Sequence, residues 1–329
     1  MKSWRLRRWN RVGSSGVRQA MSYNHRRRLA SLTLTPAVAI LVVACSSAGA
    51  PTSAPSAAPS GSPSTAPSAA PSASPVTGAV DHKTGPTDVL LRYDEGGGFV
   101  MPGFLASQTP PFTLYGDGTV IFRNNALEFP PPQGSVSMMN PMRTAKLTEE
   151  QIQDVLLLAL REGGLAVARP KYENNMVADA GTAIFTIHAG GVDKTVSVYA
   201  LGMEVQDADA PARAAFQKLA QRLTDFDQGG TFETVVYEPG AYRGILMGAA
   251  GVQAPDMRQW PWPDLKVTDF KPDADPNGLQ FPHRTMTAEE IAKLDVKNFQ
   301  GGFQGLVLTG SDAKPYTLSL RPLLPDDKG

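Results

Sequence analysis

"FTLYGDGTVIF", residues 112–122, sets β-branched and aromatic residues on either side of Asp117-Gly118. An Asp-Gly pair supplies the positive φ angles of a tight turn, and such flanks suit a pleated, half-buried surface, so an antiparallel hairpin is expected. Upstream, "TDVLLRYD" (87–94) alternates around Val89, Leu91 and Tyr93 and predicts another strand. The glycines that follow in "DEGGGF" (94–99) predict a flexible bend beside it. That segment lacks the lysine of a phosphate loop and has no βαβ setting.

Downstream, "LTEEQIQDVLLLALREGG" predicts a helix with both ends marked. Thr148 is the N-cap and Gln151 completes a capping box. Ile152, Val155, Leu156, Ala159 and Leu160 share one stripe, and Gly163-Gly164 closes the helix. "TAIFTIHAGGVDKTVSVYAL" predicts a second hairpin turning at Gly190-Gly191. A second helix is expected from Pro211 to Phe226, with Ala212, Phe216, Leu219, Leu223 and Phe226 inward. "TFETVVYEPGAYRGILM" reads as strand, "MTAEEIAKL" as a short helix boxed by Thr287 and Glu290, and "FQGLVLTGSDAKPYTLSLRPLLPDD" as a final hairpin. This order predicts an α+β fold, antiparallel sheets with helices packed on one face. Residues 84–228 form one α+β domain, and 229–329 are a second α+β lobe or a continuation of the first, with divergent duplication as one origin.

The N-terminal part is of another kind. Three arginines, 26–28, precede sixteen uncharged, mostly apolar residues, Leu29–Ala44, and then Cys45, the one cysteine of the chain. Sixteen residues fall short of the ~20 that span a bilayer, and the layout is that of a secretory signal. "VVAC" (42–45) resembles the bacterial lipobox, which implies cleavage before Cys45 and a diacylglyceryl group on its thiol. Residues 1–45 are therefore expected to be a signal peptide, with Met21 as the expected true start because it gives a signal of ordinary length. From 46 to 83 the chain is an Ala/Pro/Ser-rich tether. Such a composition cannot offset its chain entropy by burial and is expected to be disordered, with polyproline II bias and a reach of at most ~100 Å at ~3.1 Å per residue.

The full chain carries 31 basic and 31 acidic residues. Nine of the basic residues and none of the acidic ones precede residue 46, so the expected mature chain has 22 against 31, a net charge of −9. An acidic surface repels phosphate backbones, which excludes nucleic acid as a partner and makes the membrane attachment lipid rather than polybasic.

"FTLYGDGTVIF", "VYALG", "WPWPDL" and "YTLSLRPLLPDD" resemble recurring phrases of uncharacterised bacterial cell-envelope lipoproteins. The resemblance spans 112–327 and implies no activity. Nor do the residues: His82, His188 and His283 are isolated, no serine sits in a G-x-S-x-G turn, and no metal-pair spacing occurs. "PDADPNGLQF" sets Asp273, Asp275 and Asn277 as in the start of a calcium loop, but Arg284 stands where the bidentate Glu belongs, and a plain Asx-rich turn fits as well. Trp260 and Trp262, with Tyr242 upstream, either stack on a sugar or anchor a partner, or else cap the core. Arg321 either clamps an anion or pairs with a nearby Asp. The chain therefore reads as a lipid-anchored binding module on the extracytoplasmic face of the cell membrane, engaging an envelope protein, a glycan or a small ligand. A hydrolase using dispersed carboxylates and a structural envelope component are the alternatives.

Overall fold

The computed structural model describes residues 78–329 except 101, 125, 126, 128, 253, 273–280 and 329. The described strands of the first half are β1 Val89–Gly97, β2 Phe112–Tyr115, β3 Thr119–Arg123, β4 Ser137–Met138, β5 Met142–Lys146, β6 Lys171–Tyr172, β7 Gly181–Ala189 and β8 Val192–Tyr199. Those of the second are β9 Val235–Val236, β10 Tyr242–Gly248, β11 Arg258–Gln259, β12 His283–Met286, β13 Phe303–Thr309 and β14 Pro315–Pro322. The helices are α1 Pro102–Ser107, α2 Glu149–Leu157, α3 Ala210–Thr224 and α4 Ala288–Ala292. The fold is α+β.

The hairpin over 112–122 is present, with a different turn. Leu114 faces Val120 across the ladder, and Gly118 N–H donates to Tyr115 O at 3.0 Å. Only Gly118 takes positive φ, +84°. Asp117 uses its carboxylate instead, accepting from Thr119 N at 2.9 Å and from Lys146 Nζ at 2.5 Å. A three-residue loop with one left-handed glycine replaces the two-residue turn. The second hairpin does use a two-residue turn: Gly190 and Gly191 have φ of 61° and 72°, and Ala189 pairs with Val192.

The first sheet runs β6-β8-β7-β1-β2-β3-β5-β9, and the second runs β11-β13-β14-β10-β12 with β4 added on β13. The sheets are not wholly antiparallel, since β6 joins β8 and β11 joins β13 in parallel. The predicted bend at 94–99 is also corrected: β1 continues through Gly97, where Gly96 and Gly97 pair with Thr182 and Gly181. A neighbouring strand supplies hydrogen bonds that outweigh glycine's poor strand propensity. The chain turns away only at Gly98.

Each sheet has its own core. Phe112, Leu114, Phe122, Phe185 and Ile187 meet Ile152 and Leu156 of α2 and Phe216 and Leu223 of α3, so both helices cover one face of the first sheet. Each buried phenylalanine or leucine contributes about 1.5–3 kcal/mol. The Thr148–Gln151 capping box forms as expected, and the helix widens into a π turn over Leu158–Glu162 before Gly163, whose N–H donates to Leu158 O. In α3 the inward face includes Arg213, which donates to Tyr199 O at 2.6 Å and Ala200 O at 2.7 Å and satisfies the carbonyls leaving β8. The second core gathers Leu246, Leu306, Leu318, Leu320, Met286 and Ile291 of α4.

Segments on either side of residue 228 contribute to both sheets. β4 lies on β13 of the second, and β9 on β5 of the first. Between them, Tyr115, Ile121, Met142 and Leu324 form a third small cluster.

Candidate functional site

Two of the residues singled out by sequence, Trp262 and Tyr242, lie inside the second core, and Trp260 packs against it. Trp262 is 3 % exposed, and its indole N–H donates to Glu290 O at 2.9 Å. Trp260 meets it edge to face at 4.9 Å and donates to Leu265 O at 2.6 Å. Their polar atoms are satisfied internally, so this pair is a lid on the core rather than a stacking platform. The alternating Trp-Pro pattern does place both rings together, but against α4 and Phe270. Tyr242 is likewise buried, edge to face with Phe299 at 5.4 Å. Burial and then the nearby Glu238 push its hydroxyl pKa up to about 12. Cys45 and the calcium candidates Asp273, Asp275 and Asn277 lie outside the described residues. Among the described residues no cluster of His, Cys, Asp and Glu could hold a metal, and no helix is long and apolar enough to cross a membrane.

Arg321 belongs to an ionic cluster where the C-terminal segment crosses the first sheet. It donates to Asp327 Oδ1 at 3.2 Å, and Asp327 Oδ2 accepts from Leu324 N at 2.8 Å. Next to it, Asp326 Oδ1 accepts from Arg92 Nη2 at 2.6 Å and Tyr115 Oη at 2.7 Å. Burial opposes ionisation of Asp326, yet the bonds from Arg92 and Tyr115 hold its carboxyl below the usual range. Burial pushes Asp94 the other way, above its usual range, against the pull of Glu95 N–H, Arg92 and Arg321. Oppositely shifted carboxylates around one arginine are what acid–base chemistry needs. Neither lines the grooves beside α3, β5 or α1, however. The cluster's geometry is that of a clasp tying residues 323–328 to β1 and β2.

A groove of ≈ 630 Å³ lies between β1, β7 and α3, lined by Tyr93, Glu95, Thr182, Gln217, Gln221 and Asp225 among others. Its two β1 side chains are committed to each other, the Tyr93 hydroxyl donating to Glu95. A second polar groove, of ≈ 510 Å³, lies between β3, β5 and the segment 231–235.

The surface that stands apart is apolar and was missed by sequence. After Gly98 the chain crosses to the face of the second sheet opposite its core and forms α1 over β10, β13 and β14. Gln304 Nε2 donates to Ser107 Oγ at 2.5 Å, and Ser107 Oγ donates to Gly103 O at 2.9 Å. On the β13 side of α1 lies a cavity of ≈ 500 Å³ bounded by Phe99, Val100, Phe104, Ser137 and Gln304. On the β12 side lies another, of ≈ 740 Å³, bounded by Gly248, Val252, Val267, Phe270 and Phe281. Both are bounded by Gly103, Met247 and Thr317, and among the described residues neither lining contains a charged side chain. Phe99 is 90 % exposed; Phe104, at the same cavity, and Val252, at the other, are also exposed. The one signal in the sequence was "FVMPGFLA" (99–106), an apolar run with neither strand nor long-helix period to bury it.

Compared with protein-family models, with curated proteins and with solved structures, the chain matches none of them.

Proposed function

We propose that the protein is a binding module on the extracytoplasmic face of the cell membrane, anchored by lipid on Cys45 and set off from the bilayer by a tether shorter than the expected 46–83, since Val80 packs in the first core and His82 bridges Ala189. Three sequence features support the anchoring: the basic-then-apolar leader, the lipobox-like "VVAC", and a tether with no charge or aromatic residue from 46 to 80. The observation that carries the binding role is the apolar cavity beside α1, with no charged side chain among its described lining residues and Phe99 held out in solvent at its rim. Contiguous exposed apolar surface of this kind marks interaction sites in otherwise soluble domains. The tether then sets how far that surface reaches.

The test joins two measurements. Metabolic labelling with an alkyne palmitate should tag the protein and should not tag a Cys45→Ser version. A photo-crosslinking phenylalanine analogue at position 99 should give one dominant product in cells, lost when the anchor is removed by Cys45→Ser. Labelling that persists in Cys45→Ser would remove the anchor from the reading. Absence of any product from position 99 would remove the binding role.

A further inference from the structure

We propose that the buried Arg213 holds a small monovalent anion, of chloride size, at the N-terminal end of α3, with the Asn174 carboxamide as its second donor. This site is independent of the surface beside α1.

The first observation is a charge without a counter-charge. Arg213 is 4 % exposed, and a guanidinium stays charged inside a protein. Its Nη2 donates to the carbonyls of Tyr199 and Ala200, at 2.6 and 2.7 Å. Nε and Nη1 are buried with no hydrogen-bond partner in the protein. Among the described residues no ion pair includes Arg213. Asp209, the acid nearest to it in sequence, is engaged by Arg169 at 2.5 Å. Two neutral carbonyls do not balance a desolvated cation. The helix makes the imbalance worse. Arg213 closes the first turn of α3, where aligned peptide dipoles favour anions and oppose cations, and no side chain caps that end.

Strand alternation brings the second donor. Tyr172 and Asn174 are buried, while Lys171 and Glu173 are exposed, so the first two face inward together. The Tyr172 ring meets Phe216 of α3 edge to face at 4.9 Å. Arg213 lies about one turn back along the same side of that helix. Tyr172 pairs in parallel with Val198, so two residues further on the two chains reach Asn174 and Ala200, the residue whose carbonyl Arg213 holds. Asn174 is 4 % exposed; its Oδ1 accepts from Met176 N at 3.1 Å, and its Nδ2 has no partner.

The three unmatched atoms are all donors, so what completes them is an acceptor. A water would satisfy donors and leave the charge uncompensated; an anion does both. Burial of every donor restricts the ion to a small one. Ala200 also borders the groove of ≈ 630 Å³ beside α3, which brings solvent up to the wall of the site.

The test follows thermal unfolding of the full chain, in its Cys45→Ser form, as chloride replaces gluconate at constant ionic strength. An ion bound only by the folded state should raise the midpoint by about 3–6 °C for each tenfold rise in chloride above its dissociation constant. Arg213→Met should abolish that dependence, but it also frees two carbonyls and lowers stability by itself. Asn174→Asp is the arm that keeps the fold. One carboxylate oxygen retains the Met176 N–H, and the other sets a fixed negative charge where Nδ2 stood. Its midpoint in gluconate should match or exceed that of the native chain in chloride, with the chloride dependence gone. In crystals soaked in bromide, an anomalous-scattering peak is expected within hydrogen-bond distance of Arg213 Nε or Nη1. A native midpoint indifferent to chloride would mean that water completes the donors, and overturns the proposal. Chloride dependence that persists unchanged in Asn174→Asp would put the ion elsewhere. Bromide found only on the surface would leave an adventitious ion only, and either result overturns the proposal equally.

Discussion

Replacing Asp326 by Asn removes the charge at the centre of the C-terminal clasp while keeping its shape. In the native protein one carboxylate oxygen takes both the Arg92 guanidinium, at 2.6 Å, and the Tyr115 hydroxyl, at 2.7 Å. The Arg92 and Asp326 side chains are only 21 % and 20 % exposed, so water screens the pair incompletely. Hydrogen bonds to charged groups contribute about 1.5–3 kcal/mol, and unpairing a buried ion about 3–5. Residual exposure and the retained amide oxygen place Asp326→Asn at the low end, about 2–3 kcal/mol. For a domain of this size each kcal/mol lowers the melting midpoint by about 2–4 °C, so a fall of roughly 5–10 °C is expected. The pH dependence tests the cause. Arg92 and Tyr115 depress the Asp326 pKa below its ordinary 3.8 despite burial. A depressed carboxyl contributes stability that is fully present above its unfolded pKa and lost as pH falls through the folded one. Urea unfolding followed by circular dichroism should therefore show the full difference between native and Asp326→Asn chains at neutral pH. The two should converge as the pH drops below about 4. A difference under about 0.5 kcal/mol at neutral pH, the range of an ordinary surface change, would refute the clasp, and an undiminished gap in acid would refute its ionic basis.

Gly118→Ala should cost about 2 kcal/mol or more, because φ is +84° and the new Cβ would lie 2.6 Å from Leu147 O; equilibrium unfolding within error of the native chain would contradict the turn. Thr148→Ala removes the side-chain half of the α2 capping box and should cost about 1 kcal/mol, with Thr148→Asp close to neutral by the same measurement. Trp262→Phe orphans the Glu290 carbonyl and leaves a void in the second core, so a loss of about 2–4 kcal/mol is expected; a loss below about 0.5 would return Trp262 to the surface.

The elements legible in the sequence are those whose signal is local. The capping boxes at Thr148 and Thr287, the paired glycines at 190–191 and the alternating strands around them need only neighbours within a few residues, and all are present. The elements missed are held by distant partners. β4, β6 and β11 are two residues long and exist because a strand far off in sequence offers its edge. Six-residue α1 is too short to be stable by propensity and is held by its seat on the second sheet.

The same division runs through the candidate site. Sequence alone determined the fold class and which residue types are rare enough to watch. It could not say on which side of a sheet Trp262 would fall, nor that Arg92 and Asp326, 234 residues apart, would meet. Only the tertiary structure decided those matters, because burial and ion pairing depend on which surfaces the topology brings together. Phe99 was left in solvent for the same reason: α1 and Met247 fill the space above the second sheet, and no element of the described fold is placed to cover the ring.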